Sequence, residues 1–479
     1  MRRQATGVQR NGVGAYCNTP LLRTGFVLLS VSFLFLTAPS AGSAQETAPT
    51  IQTLEDLKRL ALERNLGLKS SEADVLSAQA EVRGRYAEFF PKLSAEARLS
   101  RDEHLQRVQI PAGSFNASPP LPPTQSDLLL GDLTNYGLHV ALEQPLFTGG
   151  AVYYGYQDAK LGSTLADLQH QQNLQDLLLR VELAYWDILK TERLLHVAEQ
   201  QVRDLTEHLR VVKASYDAGS VPFNEVLKTT VNKAEAEQRR LTARNNADLA
   251  KMAMNNLLRQ ELTMPLALGS GEEEPKASEL IAYEEAVKIA QEHRPELAAG
   301  RTEVQTMDVR RRRAQSGYYP TLNAVASYDR AKETSNVIPE NWEVLGVLRW
   351  TFWEWGKTEQ EVERARLRLR QSEMNLQSLE DQIVLEVRQQ YLGAVEAKEK
   401  IAVARTAVDQ AKENYRITQE RFKAGVTTNT EVLDAESLLI SAQANLTDAV
   451  YDFQSAKARL DRALGRQVLS ERGDAGGQQ

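Results

Sequence analysis

The order of apolar and polar positions changes period several times along this chain, and it runs through the same changes twice. From Leu54 to Glu88 and from Tyr283 to Ser316 apolar residues recur at helical spacing, and each stretch ends at two aromatics and a proline, Phe89-Phe90-Pro91 and Tyr318-Tyr319-Pro320. Alternation follows: Leu93, Ala95, Ala97 and Leu99 against Ser94, Glu96, Arg98 and Ser100, then Leu322, Ala324, Ala326 and Tyr328. It returns through Leu138, Val140 and Leu142, and through Trp342, Val344, Gly346, Leu348 and Trp350, which predicts two β-hairpins. After Gly149-Gly150 and Gly356 the helical period holds to Gly219 or Gly425, a rod of roughly 100 Å at 1.5 Å per residue. Val181, Ile188, Leu195, Val202 and Leu209 stand seven apart, as do Val387, Ala394, Ile401, Val408 and Tyr415, the spacing of a coiled-coil seam. The pattern breaks at Gly219-Ser220-Val221-Pro222 and Gly425-Val426-Thr427, and a returning helix of about 40 residues is expected after each break. Glycine supplies the positive φ of a C-cap there, and Asn224 or Thr430 is placed to cap the returning helix.

The chain is internally duplicated. Each position in 145–259 has its counterpart 206 residues on, in 351–465, without a gap: Val181 on Val387, Tyr185 on Tyr391, Glu207 on Glu413, Gly219 on Gly425, Glu225 on Glu431. The earlier part of each half matches 229 residues on, Phe89-Phe90-Pro91 and Leu93 falling on Tyr318-Tyr319-Pro320 and Leu322. The 23-residue surplus lies between Pro91 and Pro145, where the first half carries the Pro-rich run 118–123, an insertion suited to an exposed loop. A first repeat over 45–270, a linker over 271–281 containing Glu272-Glu273-Glu274, a second repeat over 282–466 and a disordered tail over 467–479 are expected.

The N-terminus reads as a secretory signal over 1–44. Arg2, Arg3, Arg10 and Arg23 precede an apolar run from Phe26 to Leu36, and the small residues Ala41, Gly42, Ser43 and Ala44 follow. The one cysteine, Cys17, leaves with it, so no disulfide or cysteine metal site is expected. Charged residues make up 25% of the chain with a net charge of −7 and both signs interspersed, which gives no basic footprint and argues against nucleic acid as a partner. The six histidines are dispersed, so neither a metal site nor a catalytic triad is suggested, and no cofactor is expected.

The hairpins are too small to form a closed core, yet aromatics crowd their ends: Phe89, Phe90, Phe147, Tyr153 and Tyr154 in one half, Tyr318, Tyr319, Trp350, Phe352, Trp353 and Trp355 in the other. Aromatics at strand ends mark a bilayer interface, with ordinary core packing as the plainer alternative. Four strands cannot close a barrel of useful bore, so several chains must pool theirs. Glu96, Arg98, His139, Glu143, Asn323, Asp329 and Arg349 would then face a wet lumen.

The repeat, the Phe-Phe-Pro and Tyr-Tyr-Pro approaches to the strands, the exit Leu142-Glu143-Gln144-Pro145-Leu146-Phe147-Thr148-Gly149-Gly150, and the turn from Phe422-Lys423-Ala424-Gly425 to Glu431-Val432-Leu433-Asp434-Ala435 resemble the TolC-type outer-membrane efflux and export family. The resemblance implies a mainly α fold with a small β part. A long helical coiled-coil tunnel would continue a twelve-stranded transmembrane barrel shared by a homotrimer and embedded in outer-membrane lipid. It implies a passive exit duct and no enzyme, working with a periplasmic membrane-fusion adaptor and an inner-membrane pump of RND, ABC or MFS type. The cargo would be drugs, small toxic compounds, metals or polypeptides, with small molecules placed first. By the same resemblance Glu431, Asp434 and Glu225 sit at the periplasmic constriction, and Gly219, Gly425, Val221 and Thr427 form the tip turns where an adaptor docks. Phe422 stands where the family has a tyrosine and Thr427 where it has an arginine, two residues that help lock the closed state. Three-fold repetition of Glu431 and Asp434 would attract cations, and mutual repulsion would raise their pKa values. The plainer reading of all three acids is first-turn residues favoured by a helix dipole.

Other features carry less. Gly356-Lys357-Thr358 lacks the first glycine of a phosphate loop, since Thr351 stands in its place. Arg310 to Arg313 lie near a helix C-terminus, where cations are favoured as a solvated or dipole-pairing face. The competing function class is a soluble exported coiled-coil protein, structural or adhesive, in which the hairpins merely cap a helical bundle.

Overall fold

A computed structural model of the chain describes residues 53–104, 106–110, 126–130, 133–268, 280–332 and 340–466. The expected leader, the Pro-rich run 118–123, Glu272-Glu273-Glu274 and the tail from 467 lie outside the described residues. The first half contains α1 (Leu54–Arg64), α2 (Leu66–Ala87), β1 (Lys92–Arg101), β2 (Gln106–Ile110), β3 (Ser126–Leu130), β4 (Thr134–Phe147), α3 (Ala151–Asp217) and α4 (Phe223–Leu257). The second contains α5 (Tyr283–His293), α6 (Pro295–Gln315), β5 (Thr321–Lys332), β6 (Asn341–Arg349), α7 (Lys357–Lys423) and α8 (Asn429–Ala463). The long helices α3 and α7 are both 67 residues and the returning helices α4 and α8 both 35, so every boundary keeps the 206-residue offset.

Three details depart from the periodicity reading. The helical stretch before each hairpin is two helices, not one. Asn65 ends α1 with an extended backbone and caps α2, its Oδ1 accepting the amide of Leu68 at 3.0 Å. Arg294 breaks the equivalent stretch because it precedes Pro295, whose ring disfavours a helical residue before it and which itself suits the first position of α6. The returning helices stop short of the expected length because Arg259 and Gly465 take left-handed φ values of 53° and 72° and close them. Gln260 N–H then reaches Asn255 O, and Arg466 N–H reaches Asp461 O, the six-to-one bond of a Schellman motif. In α3, finally, the seam changes register. Val181 and Ile188 are fully buried, but Leu195, Val202 and Leu209 are only half-buried, and full burial passes to Leu205 and Val212. Val181 and Ile188 pack in a cluster with Leu57 of α1 and Met254 of α4, whereas Leu205 clusters with Ala236 of α4 and Leu433 of α8, and Val212 with Val226 of α4 and Val432 of α8.

The core repeats like the chain. Leu57, Leu177, Val181, Ile188, Met254 and Leu258 form one cluster, and Ala286, Ile383, Val387, Ala394, Leu460 and Leu464 form its twin from equivalent positions. An ionic group built on the buried Arg294 and Arg462 joins the halves beside them. Arg462 reaches Asp176 at 2.8 Å and Glu296 at 2.7 Å, while Arg294 reaches Glu386 at 2.5 Å and Glu296 at 3.3 Å. Arg310 pairs with Asp158, and Arg311 and Arg312 with Asp308, so these arginines form an ion-paired helix face.

The strands form one antiparallel sheet in the order β1-β4-β5-β6, with β2 and β3 a separate two-stranded extension of the first hairpin. The hairpins thus pair with each other through β4 and β5, from Tyr136↔Lys332 to Phe147↔Leu322. Register sorts the side chains onto two faces. Lys92, Glu96, Arg98, His139, Glu143, Asn323, Asp329, Glu343 and Arg349 share one face, which includes all seven residues expected to be wet. Leu93, Leu99, Leu138, Val140, Leu142, Leu322, Tyr328, Trp342, Val344 and Leu348 share the other. Across the polar face His139 Nδ1 lies 2.6 Å from Asp329 Oδ1, and Asn323 donates to Glu143 at 3.2 Å.

Candidate functional site

The far end of the helices is built by two turns of one design. In each, a glycine supplies the left-handed residue after a long helix, Gly219 at φ 74° and Gly425 at φ 71°. Ser220 N–H reaches Ser215 O at 2.8 Å and Val426 N–H reaches Arg421 O at 2.9 Å, closing the last turn of α3 and α7. The caps of the returning helices fall earlier than Asn224 and Thr430. Pro222 stands at the N-cap of α4 without a side-chain bond, and Thr428 caps α8 by accepting the amide of Glu431. Glu225 and Glu431 are consequently third residues of their helices, where a carboxylate meets the positive end of the helix dipole.

The two acids have different surroundings. Glu431 and Asp434 are exposed one turn apart on α8. Thr427 donates its hydroxyl to Glu431, and with Arg421 nearby this holds the carboxyl below its ordinary value, so the contacts within one protomer oppose the rise expected from repulsion in a ring. Glu225 faces the seam between the hairpins instead. Its Oε1 accepts from Lys228 at 3.0 Å and its Oε2 from Asn429 Nδ2 at 3.1 Å, and these bonds, Lys228 first, lower its pKa. The structure therefore groups Glu431 with Asp434 and places Glu225 apart.

Asn429 is the centre of a buried polar knot that the sequence did not reveal. Its Nδ2 also donates to Thr229 Oγ1 at 3.0 Å, and its Oδ1 lies 2.7 Å from His208 Nε2. Asn429 is 2% exposed, Thr229 0% and His208 6%, so α3, α4 and α8 are tied across the repeats. Burial holds His208 below the ordinary imidazole value, against the weaker opposing pull of Asn429. Phe422 packs on the His208 ring with centroids 5.5 Å apart, among Val212, Val226, Tyr415, Val432 and Leu439. On one side the knot borders a cleft of about 280 Å³ lined by Asp204, His208, Gln419 and Phe422. Of the expected tip residues, Val221 packs inward on this cluster and Thr427 is bonded to Glu431, while Gly219 and Gly425 project at the turns. Tyr216 and Phe223, not singled out from sequence, pair at 5.3 Å and remain exposed beside the first turn.

At the opposite end Phe89, Phe90, Phe147, Tyr318, Tyr319, Trp350 and Trp353 are all exposed. They lie at one end of the sheet only, because the starts of β1 and β5 and the ends of β4 and β6 meet there. Sequence pattern had put aromatics at both ends of the hairpins. The other end carries Tyr136, Tyr328 and Trp342 on the apolar face, of which the sequence pattern marks Tyr328 and Trp342 as alternating strand positions and not Tyr136. The passage from sheet to helix is tight: a Cβ on Gly149 would lie 2.7 Å from Ser316 O and 2.8 Å from Tyr319 Cβ. Trp350 Nε1 donates to Tyr318 O at 3.3 Å, joining the two approaches.

A two-faced antiparallel sheet set on paired helices of about 100 Å is the architecture of a membrane channel with a helical extension. The family model for outer membrane efflux proteins matches residues 57–258 and 286–466, and the chain belongs to that family. It is similar to the alkaline protease secretion protein AprF of Pseudomonas aeruginosa, 26% identical over 71% of each chain. It is also similar to the proteases secretion protein PrtF of Dickeya chrysanthemi, 24% identical over 93% of each. Among solved structures, CusC superposes with a TM-score of 0.73 at 16% identity, covering 89% of this chain and 95% of that one. The protein is an outer-membrane channel of efflux or secretion with a periplasmic helical tunnel, and the soluble coiled-coil alternative falls away.

Proposed function

We propose that three copies of this chain form a passive duct and that it catalyses nothing. The observation that carries the reading is the sheet itself. It is apolar and exposed on one face, polar on the other, and ends in β1 and β6, which have no outer strand partner among the described residues. Open edges are not tolerated in lipid, so the sheet must close with others, and three four-stranded sheets give a twelve-stranded barrel. Tyr319, in extended backbone two residues before β5, and Tyr328 within that strand stand nine residues apart. That is about 30 Å along it and about 23 Å in height at a tilt near 40°, close to the apolar band of such barrels.

In this reading Phe89, Phe90, Phe147, Tyr318, Tyr319, Trp350 and Trp353 sit at the periplasmic rim of the bilayer, and Tyr136, Tyr328 and Trp342 at the outer rim. Glu431 and Asp434 narrow and charge the far entrance, and Glu225 acts through the seam. Gly219, Gly425, Val221 and Thr427 shape the tips that meet an adaptor, which in turn joins an inner-membrane pump. The two repeats span 45–270 and 282–466, preceded by a leader over 1–44. The names of AprF and PrtF favour a polypeptide cargo over small molecules, and with it an ATP-driven pump.

The mature chain should extract only with detergent, run as a heat-resistant trimer and conduct ions across planar bilayers. A water-soluble monomer that leaves liposomes sealed would refute the reading. Restored secretion of a protease substrate in a host lacking its own duct, without restored drug resistance, supports the polypeptide cargo; the reverse result favours small molecules.

A further inference from the structure

The seam between the two helical hairpins holds a second polar group, and the duplication does not explain it. Glu436 on α8 is 4% exposed, whereas its counterpart in the first repeat, Thr230, is on an exposed face of α4. The Glu436 Oε1 atom has no hydrogen-bond partner among the described residues. Every helix packed around it contributes a polar group. From α3 come Gln201, itself 4% exposed, and Asp204; from α4 comes Arg239, whose Nε donates to Gln201 at 3.3 Å; from α7 comes Tyr415. A negative charge on Glu436 is favoured by a Gln201 hydrogen bond and by Arg239, which stands half in solvent, and is disfavoured by the like charge of Asp204. Burial first, and Asp204 second, push Glu436 up to about 8, and burial raises Asp204 as well.

A carboxyl in such a place is tolerated when neutral and costly when ionised, because the charge lacks both water and a full partner. The cheapest relief is to admit water, and the contact that can yield is the one between hairpins. There α3 alone makes broad contact with α8, while α4 scarcely touches it. A cleft lined by Asp204 opens beside this seam. We propose that Glu436 is a proton-operated spacer: protonated, it fits between α3 and α8, and ionised beside Asp204 it parts them and widens the entrance formed by the tips. The inference rests on the channel reading. His208, one turn nearer the tip on α3, titrates in the opposite sense and belongs to the Asn429 knot.

The test uses the full mature trimer in planar bilayers. Conductance should rise between about pH 7 and about pH 9, with the ratio of ionised to neutral carboxyl changing about tenfold per unit. Glu436→Gln should flatten that rise. Asp204→Asn, which removes the like charge, should move it to lower pH, and Arg239→Gln should move it to higher pH. These two opposite shifts keep the proposal open to refutation even if Glu436→Gln fails to assemble. A second readout does not need conduction. Because Cys17 in the expected leader is the only cysteine, spin labels on Lys213→Cys and Ser437→Cys, both at exposed positions, report the α3–α8 separation. That distance should lengthen over the same pH range and stay fixed in the Glu436→Gln background. A conducting trimer whose pH profile survives Glu436→Gln, or a label distance that does not move, overturns the spacer while leaving the channel intact. A trimer that does not conduct refutes the channel, and the labels still decide whether the seam parts.

Discussion

Asn429 donates from one side-chain amide to the Glu225 carboxylate at 3.1 Å and to the Glu225 backbone carbonyl at 3.4 Å, although the two residues come from opposite halves of a duplicated chain. The counterpart of Asn429 in the first repeat is Phe223, which is exposed. The two tips therefore share a backbone design and differ in what they bury, and the second is fastened to the first by this side chain. Asn429→Ala leaves His208, Thr229 and Glu225 without their shared partner and should destabilise the tip by about 1–3 kcal/mol. Faster amide exchange at the start of α8 and a larger single-channel conductance are the expected signs. Unchanged exchange would show that the knot is idle.

Acid should loosen the same knot. His208 is depressed below its ordinary value of 6.5, so the unfolded chain binds the extra proton first. The stability it contributes is present above 6.5 and is lost as pH falls from there through the lower folded value. Amide exchange at the α8 start should accelerate below about pH 6.5. His208→Gln, which keeps a donor toward Asn429 and cannot titrate, should flatten that dependence.

Glu431 and Asp434 are exposed on one face of α8, and in a trimer they would place six carboxylates about the axis. Replacing both, as Glu431→Gln with Asp434→Asn, should lower the preference for cations roughly by a factor of a few. Reversal potentials in a salt gradient measure this directly. The change should shrink at high salt, where the field of exposed charges is screened.

Gly149→Ala should be costly out of proportion to one methyl group. The residue sits at φ 61°, and the new Cβ would meet Ser316 O and Tyr319 Cβ inside contact distance. Strain of about 1–2 kcal/mol from the left-handed backbone adds to the clash. A lower trimer melting temperature is expected, whereas Gly162→Ala, in an open helical position of α3, should have little effect.

Much of this architecture was legible because duplication prints a helix boundary twice. The 206-residue offset, read from residue identities alone, reappears at both ends of all four long and returning helices. Strand alternation was equally readable, since a face in contact with lipid and a face in contact with water impose opposite chemistry on neighbouring residues. The breaks at Asn65 and Arg294 were signalled, by a capping residue and by the following proline, but helical periodicity on both sides concealed them. The knot and Glu436 could not be seen. His208, Thr229, Asn429 and Glu436 lie on three helices, and each alone resembles the polar residue of a solvated helix face. Only the approach of α8 to α3 and α4 removes their water.

Equal helix lengths have a consequence for how this chain can diverge. Deleting one residue from α3 would retract the first tip by about 1.5 Å and rotate everything beyond it by about 100°, misplacing Thr229 and His208 relative to Asn429. A compensating loss in α7 would restore the level of the second tip but not the facing of both. The helical stalk is therefore locked to a common measure in its two halves, while the hairpin ends already differ by 23 residues without disturbing the sheet. Insertions and deletions among descendants of this gene should accumulate on the cell surface and be almost forbidden in the periplasm.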